Sequence, residues 1–288
     1  MFKTFILLSG MTALFAGIGY LLAGGTGASM ALVIAAGMNL FAWWGSDRMV
    51  LRMHNAQPVT EAEAPQLYRM TADLAARANI PMPALYVIHE DQPNAFATGR
   101  SPQHAAVAVN TGLLDLMSQE ELAGVVAHEL AHIKNRDTLI MAVTATLAGA
   151  IGFLAQFGMM AGRGRENRPN PIAMMAMMIL GPLAAMVVQM AVSRAREFEA
   201  DAEGARICGN PAWLANGLAK LERGKQGRVN QTAEANPASA HMFIINPLSG
   251  LRLDRLFSTH PATEERIARL LAMGGEAPIA PARRNPWA

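Results

Sequence analysis

The chain of 288 residues is short of charge and almost free of cysteine. Cys208 stands alone, so no disulfide can close within the chain. Without a setting that would ionise it, it reads as a small hydrophobe rather than a nucleophile. Charged residues make up 16% of the sequence, against roughly a quarter in an ordinary globular domain. The net charge of +2 and the lack of a basic stripe exclude a nucleic-acid partner held through phosphate contacts.

The shortage of charge is local. Residues 5–23, 28–44, 138–160 and 171–192 contain no Asp, Glu, Lys or Arg. A helix rises ~1.5 Å per residue and a bilayer core is ~30 Å thick, so the longer runs can span it. Lys3 followed by apolar residues resembles the start of a cleaved leader, but a second run follows after GGTG, which favours a retained helical hairpin. Runs free of acids and bases also disfavour a channel or transporter. Lys3, Arg48 and Arg52 flank the first pair of runs, and Lys134, Arg136, Arg194 and Arg196 flank the second. By the excess of positive charge, these ends face the cytoplasm. Trp43 and Trp44 sit where an interfacial belt belongs. Arg163, Arg165 and Arg168, between the third and fourth runs, oppose this orientation.

Between the pairs, residues 60–79 predict an amphipathic helix opened by a Thr60/Glu63 capping box. Residues 84–90 and 104–110 predict strands, and 94–98 a shorter one. Ser118 and Glu121 form a second capping box at the start of a helix carrying VVAHELAHIKNRD, residues 125–137. On its wheel Leu122, Val126, Leu130 and Ile133 share one face. His128 and His132 lie opposite, beside Gly124, which is expected to leave space, with Glu129 at the margin. Residues 220–241 read as a polar, mobile loop able to gate a site. The final residues, 274–288, read as a Pro-rich flexible tail.

His-Glu-x-x-His suits zinc. Histidines at i and i+4 offer two ligands from one helical face, and the glutamate can act as base towards a water. A hydrolytic zinc site needs a third ligand. A metzincin would have Gly and His where this chain has Asn135 and Thr138. The remaining source is a carboxylate on another helix. In SRAREFEADAEGA, residues 193–205, Glu197 and Asp201 share a face, and so do Glu199 and Glu203. The second member of either pair could orient a ligating histidine through its other ring nitrogen. Spacing alone does not choose between the pairs.

HELAHIKNRD, an apolar hairpin and SRAREFEADAEGA, in that order, resemble the HtpX membrane metalloproteases, glutamate-ligand zincins related to the CAAX prenyl proteases. NAFATG at 94–99 and STHP at 258–261 extend the likeness over nearly the whole length. The resemblance implies one zinc ion per chain held by His128, His132 and Glu197, with Asp201 as the orienting partner and Glu129 as general base. The oxyanion that develops on the carbonyl needs a donor besides the metal; His260 in STHP is the candidate, and the resemblance strengthens it. A strand containing Asn94, Ala95 and Phe96 is expected to pair with an extended substrate. The implied partners are unfolded or misassembled membrane proteins, met at the cytoplasmic face of a bacterial-type inner membrane in the course of stress-related quality control.

The expected fold is mostly α with a small β-sheet: an integral membrane protein with two transmembrane helical hairpins and a cytoplasmic zincin-type metalloprotease domain. Its expected parts are a hairpin at 1–47, one half of the zincin at 48–137, a second hairpin at 138–193, the other half at 194–273, and the tail. The contrasting reading is a non-enzymatic membrane scaffold with an accidental His-Glu-x-x-His. A prenyl-peptide protease is a further alternative, but it would need a large membrane chamber, for which four short runs are few.

Overall fold

Strand β4 (His104–Asn110) is the centre of a small mixed sheet, and the reason is in its composition. Ala105 to Asn110 are all buried, so the strand is covered on both faces and reads as continuously apolar. The computed structural model of the chain describes residues 2–144, 194–248 and 261–274. β1 is Gln57–Pro58, β2 Ala84–Ile88 and β3 Ala95–Ser101. Their order is β1-β2-β4-β3, with β2 and β4 parallel and the outer pairs antiparallel. The hairpin from β3 to β4 is irregular between Gly99 and Ser101. Gly99 has φ +140, and a Cβ there would stand 2.3 Å from the His104 carbonyl, so glycine is required.

Eight α-helices accompany the sheet among the described residues: α1 (Phe2–Met53), α2 (Pro65–Ala78), α3 (Thr111–Leu116), α4 (Gln119–Asn135), α5 (Arg194–Cys208), α6 (Pro211–Gly224), α7 (Gln231–Ala235) and α8 (Thr263–Gly274). The coarse expectation, mostly helical with a small sheet, is what the chain adopts. α1 contains GGTG, with Gly24 in the left-handed region at φ 60. Among the described residues no helix is long and apolar enough to cross a membrane. Residues 145–193, which hold most of the third and fourth runs and the three loop arginines, lie outside the described residues, as does the tail beyond 274.

α2 begins four residues later than its capping box suggests. Thr60 and Glu63 do bond, with the Thr60 amide donating to Glu63 Oε2 at 2.8 Å. They close a turn, however, because Pro65 disfavours helical geometry at Ala64 (φ −137, ψ 62) and then serves as the first helical residue. The Ser118 box behaves as expected, with both reciprocal bonds made and the helix starting at Gln119. Residues 220–241 are not one loop. Lys220 to Gly224 finish α6, Asn230 caps α7 by accepting from the Ala233 amide at 2.8 Å, and Pro237–Met242 form a 3-10 helix. Local capping outweighs the polar composition that suggested disorder.

The core lies between one face of the sheet and helices α2, α4, α5 and α6, joined through Leu67, Val107, Val126, Leu130, Leu214 and Leu218. α4 is its axis, buried at every residue from Leu122 to Ile133. Gly124 leaves no open space beside the histidines: a Cβ there would stand 2.6 Å from the Leu214 backbone, because the start of α6 fills the gap. Gly204 plays the same part for α5, where a Cβ would lie 2.9 Å from His128 Cα. That close crossing carries the acidic face of α5 onto the histidines.

Candidate metal centre

α4 and α5 together build the site. His128 and His132 are one turn apart, and their rings meet edge to face at 4.7 Å. Glu197, in the first turn of α5, points between them. Its Oε2 is 3.9 Å from His128 Nε2, and its Oε1 is 3.6 Å from His132 Nε2. Each of the three residues offers a ligand atom, and these atoms all lie within 4.8 Å of one another. All three side chains are buried.

The other ring nitrogens are held from behind. His128 Nδ1 is 3.0 Å from Asp201 Oδ1, and His132 Nδ1 is 3.2 Å from Asp137 Oδ2. Both Nε2 atoms are thus turned towards Glu197, the arrangement a metal needs from neutral histidines. Asp201 accepts two bonds from Arg266, Nε at 2.8 Å and Nη2 at 2.7 Å. Arg266 also donates to the Ile244 carbonyl at 2.7 Å. Its Nη2 approaches His128 Nε2 to 3.4 Å. Arg196 Nε lies 3.7 Å from Asp137 Oδ1.

Glu129 sits at the margin of the histidine face, 1% exposed, with neither carboxylate oxygen hydrogen-bonded. Burial pushes its pKa up to about 7. The Ala97 amide is near enough to oppose that shift, without hydrogen-bond geometry. Burial lowers His128 to about 4. At His132 burial works the same way, but Asp137, Glu197 and Glu129 outweigh it and raise the pKa to about 9. Asp201 would be raised by burial, yet the adjacent guanidinium of Arg266 holds it at about 2.

These charges test whether a metal fits. Glu129, Asp137, Glu197 and Asp201 are four buried carboxylates facing two guanidinium groups, Arg196 and Arg266. With the carboxylates ionised and both histidines neutral, as ligation requires, the site carries an excess of two negative charges, which a divalent cation would balance; in the metal-free site a proton on His132, whose pKa is raised to about 9, offsets part of that excess. Two imidazoles and a carboxylate are also the donor set that zinc takes in hydrolases. The residues present therefore fit zinc.

Of the site residues expected from sequence, His128, Glu129, His132, Glu197 and Asp201 come together. Glu199 is exposed, and Glu203 is paired with Lys134 and Arg206, so the tie left by spacing is resolved by which face of α5 meets α4. His260 lies outside the described residues. Ala95 and Phe96 open the edge strand β3 and Asn94 immediately precedes it, but the chain itself covers that stretch. Asn94 Nδ2 donates to the Ile245 carbonyl at 2.9 Å, the Ile244 amide donates to the Ala95 carbonyl at 3.0 Å, and Phe96 is bridged to Phe243. The expected pairing edge is taken up there by residues 243–245.

Sequence reasoning missed Arg266, Asp137 and Arg196. Arg266 had a faint signal, a charge one turn before Leu270 on the apolar stripe of α8. Asp137 had none from helical spacing.

Residues 61–273 match the family model of Peptidase family M48. Among solved structures, the crystal structure of Ste24p from S. mikatae is similar, at 18% sequence identity and a TM-score of 0.45. The alignment covers 94% of this chain and 67% of that one.

Proposed function

The chain belongs to peptidase family M48 and is a zinc metalloprotease, and on that premise we propose that it is an HtpX-type endopeptidase acting on misfolded or damaged membrane proteins at the cytoplasmic face of a bacterial-type inner membrane. The observation that carries the endopeptidase reading is the buried cluster of His128, His132 and Glu197 beside the unpartnered carboxylate of Glu129. The charge-free runs, and the exposed apolar side chains of α1 such as Val33, Leu40 and Trp44, support the membrane setting.

In this reading His128, His132 and Glu197 hold the zinc, and Asp201 fixes the tautomer of His128. When bound, zinc supplies a Lewis acid that polarises the scissile carbonyl and acidifies water. Glu129 takes the proton from the attacking water and later delivers it to the leaving amine. His260 is the assigned donor to the oxygen on which charge develops. Substrate lies extended along β3. Main-chain pairing tolerates many sequences, as the disposal of damaged proteins requires.

The test uses full-length protein purified in detergent, with metal content measured alongside cleavage of an unfolded protein. Zinc near one per chain in both wild type and Glu129→Gln, with cleavage only in wild type, is expected. Wild type without zinc, or Glu129→Gln with full activity, overturns the mechanism. A misassembled membrane protein cleaved no faster than a soluble unfolded one would overturn the substrate class alone.

A further inference from the structure

The two candidate ligand histidines are backed alike, and only one of the backing groups lies where a helix would put it. Asp201 follows Glu197 by one turn of α5 and so shares its face. Asp137 follows His132 by five residues. On an uninterrupted helix, ~100° per residue would carry it ~140° round the axis, away from the imidazole. α4 does not continue. Arg136 takes the left-handed conformation, φ 62 and ψ 32, and its amide bonds back to the His132 and Ile133 carbonyls. A helical stretch then restarts at residue 137. The turn brings Asp137 back to within 3.2 Å of His132 Nδ1. A left-handed residue commonly ends a helix, as Asn79 does for α2, but glycine or asparagine usually takes that place and an arginine there costs energy.

Asp137 is held in turn by Arg196, which immediately precedes Glu197 in sequence. Arg196 is largely buried, with Nη2 unpartnered, so its charge is directed at few groups. Residue 137 lies just past the end of α4 and residue 196 in the first turn of α5, on either side of residues 138–193. A second cross-link, Lys134 to Glu203, joins the same two helices.

We propose that Asp137 is the positioning residue for His132, placed by the left-handed turn at Arg136 and anchored by Arg196, so that the two ends of the intervening segment are tied to the metal centre. The inference rests on the zinc reading above. Each ligating histidine then has its own carboxylate and guanidinium: Asp201 with Arg266 for His128, and Asp137 with Arg196 for His132. Drawing residues 137 and 196 apart would free the His132 ring and weaken the metal.

The experiment measures zinc affinity of the full-length protein in detergent by competition with a chelator. Asp137→Asn is expected to weaken zinc by ~10–100-fold, the usual cost of losing such a partner, as Asp201→Asn should. Arg196→Gln is expected to weaken it in the same direction, and the double variant to do little more than Asp137→Asn alone. Arg136→Val, whose branched side chain resists positive φ, should weaken zinc, whereas Arg136→Gly should restore it. Asp137→Asn that binds zinc within twofold of wild type while melting lower makes the residue merely structural and overturns the proposal. Additive effects of Asp137→Asn and Arg196→Gln overturn the anchoring. If Asp137→Asn does not fold, the contrast between the two Arg136 variants decides in its place. Wild type that binds no zinc refutes the metal reading instead.

Discussion

Glu129 should make the metal-free protein less stable as pH rises, and Glu129→Gln should abolish that effect. Its carboxylate is 1% exposed and neither oxygen is hydrogen-bonded. Ionisation is therefore costly in the folded state, and the pKa rises from 4.5 to about 7. A raised pKa contributes stability that is full below about 4.5 and is lost as pH climbs through 7. The gap of about 2.5 units corresponds to roughly 3 kcal/mol at the limit, of which about 2.5 kcal/mol falls between pH 5 and pH 8. Glutamine fills the same space without a charge. Thermal melts of wild type and Glu129→Gln, stripped of metal in the same detergent, supply the assay. The variant should gain over wild type by about 5–10 °C more at pH 8 than at pH 5. Any cost of the amide itself is common to both pH values and cancels. A gain that does not change with pH, or one that shrinks towards pH 8, refutes the account of Glu129 as an uncompensated buried carboxylate.

Glu197→Gln should lose bound zinc, measured as metal per chain, while Glu199→Gln on the exposed face of α5 keeps it. Loss in the second variant alone would show that α5 is wrongly rotated. Arg266→Met should lower stability by about 3–5 kcal/mol, because Asp201 is left buried without its bidentate partner. Asp201→Asn added to it should return part of that loss, a recovery visible in denaturation midpoints.

Much of this protein was written in local sequence. Ala105 to Val109 is an unbroken apolar run that a strand covered on both faces can bury, and Ser118 with Glu121 starts α4 because each satisfies an amide of the other. His128 and His132 fall on one face through helical spacing alone, and the lone cysteine left no room for a disulfide framework. Sequence spacing could not say which acidic pair of α5 faces α4. That depended on Gly204, whose missing side chain lets the helices cross closely with Glu197 inward and Glu199 outward. Nor could it show that residues 243–245 cover the edge strand at Asn94 to Phe96, since nothing local joins positions 150 residues apart. Asp137 is the sharpest case. A helical wheel sends it away from His132, and one left-handed residue brings it back. What repeats with the helical or strand period was determined by sequence; what depends on two elements meeting, or on a single break in the period, was decided by the tertiary structure.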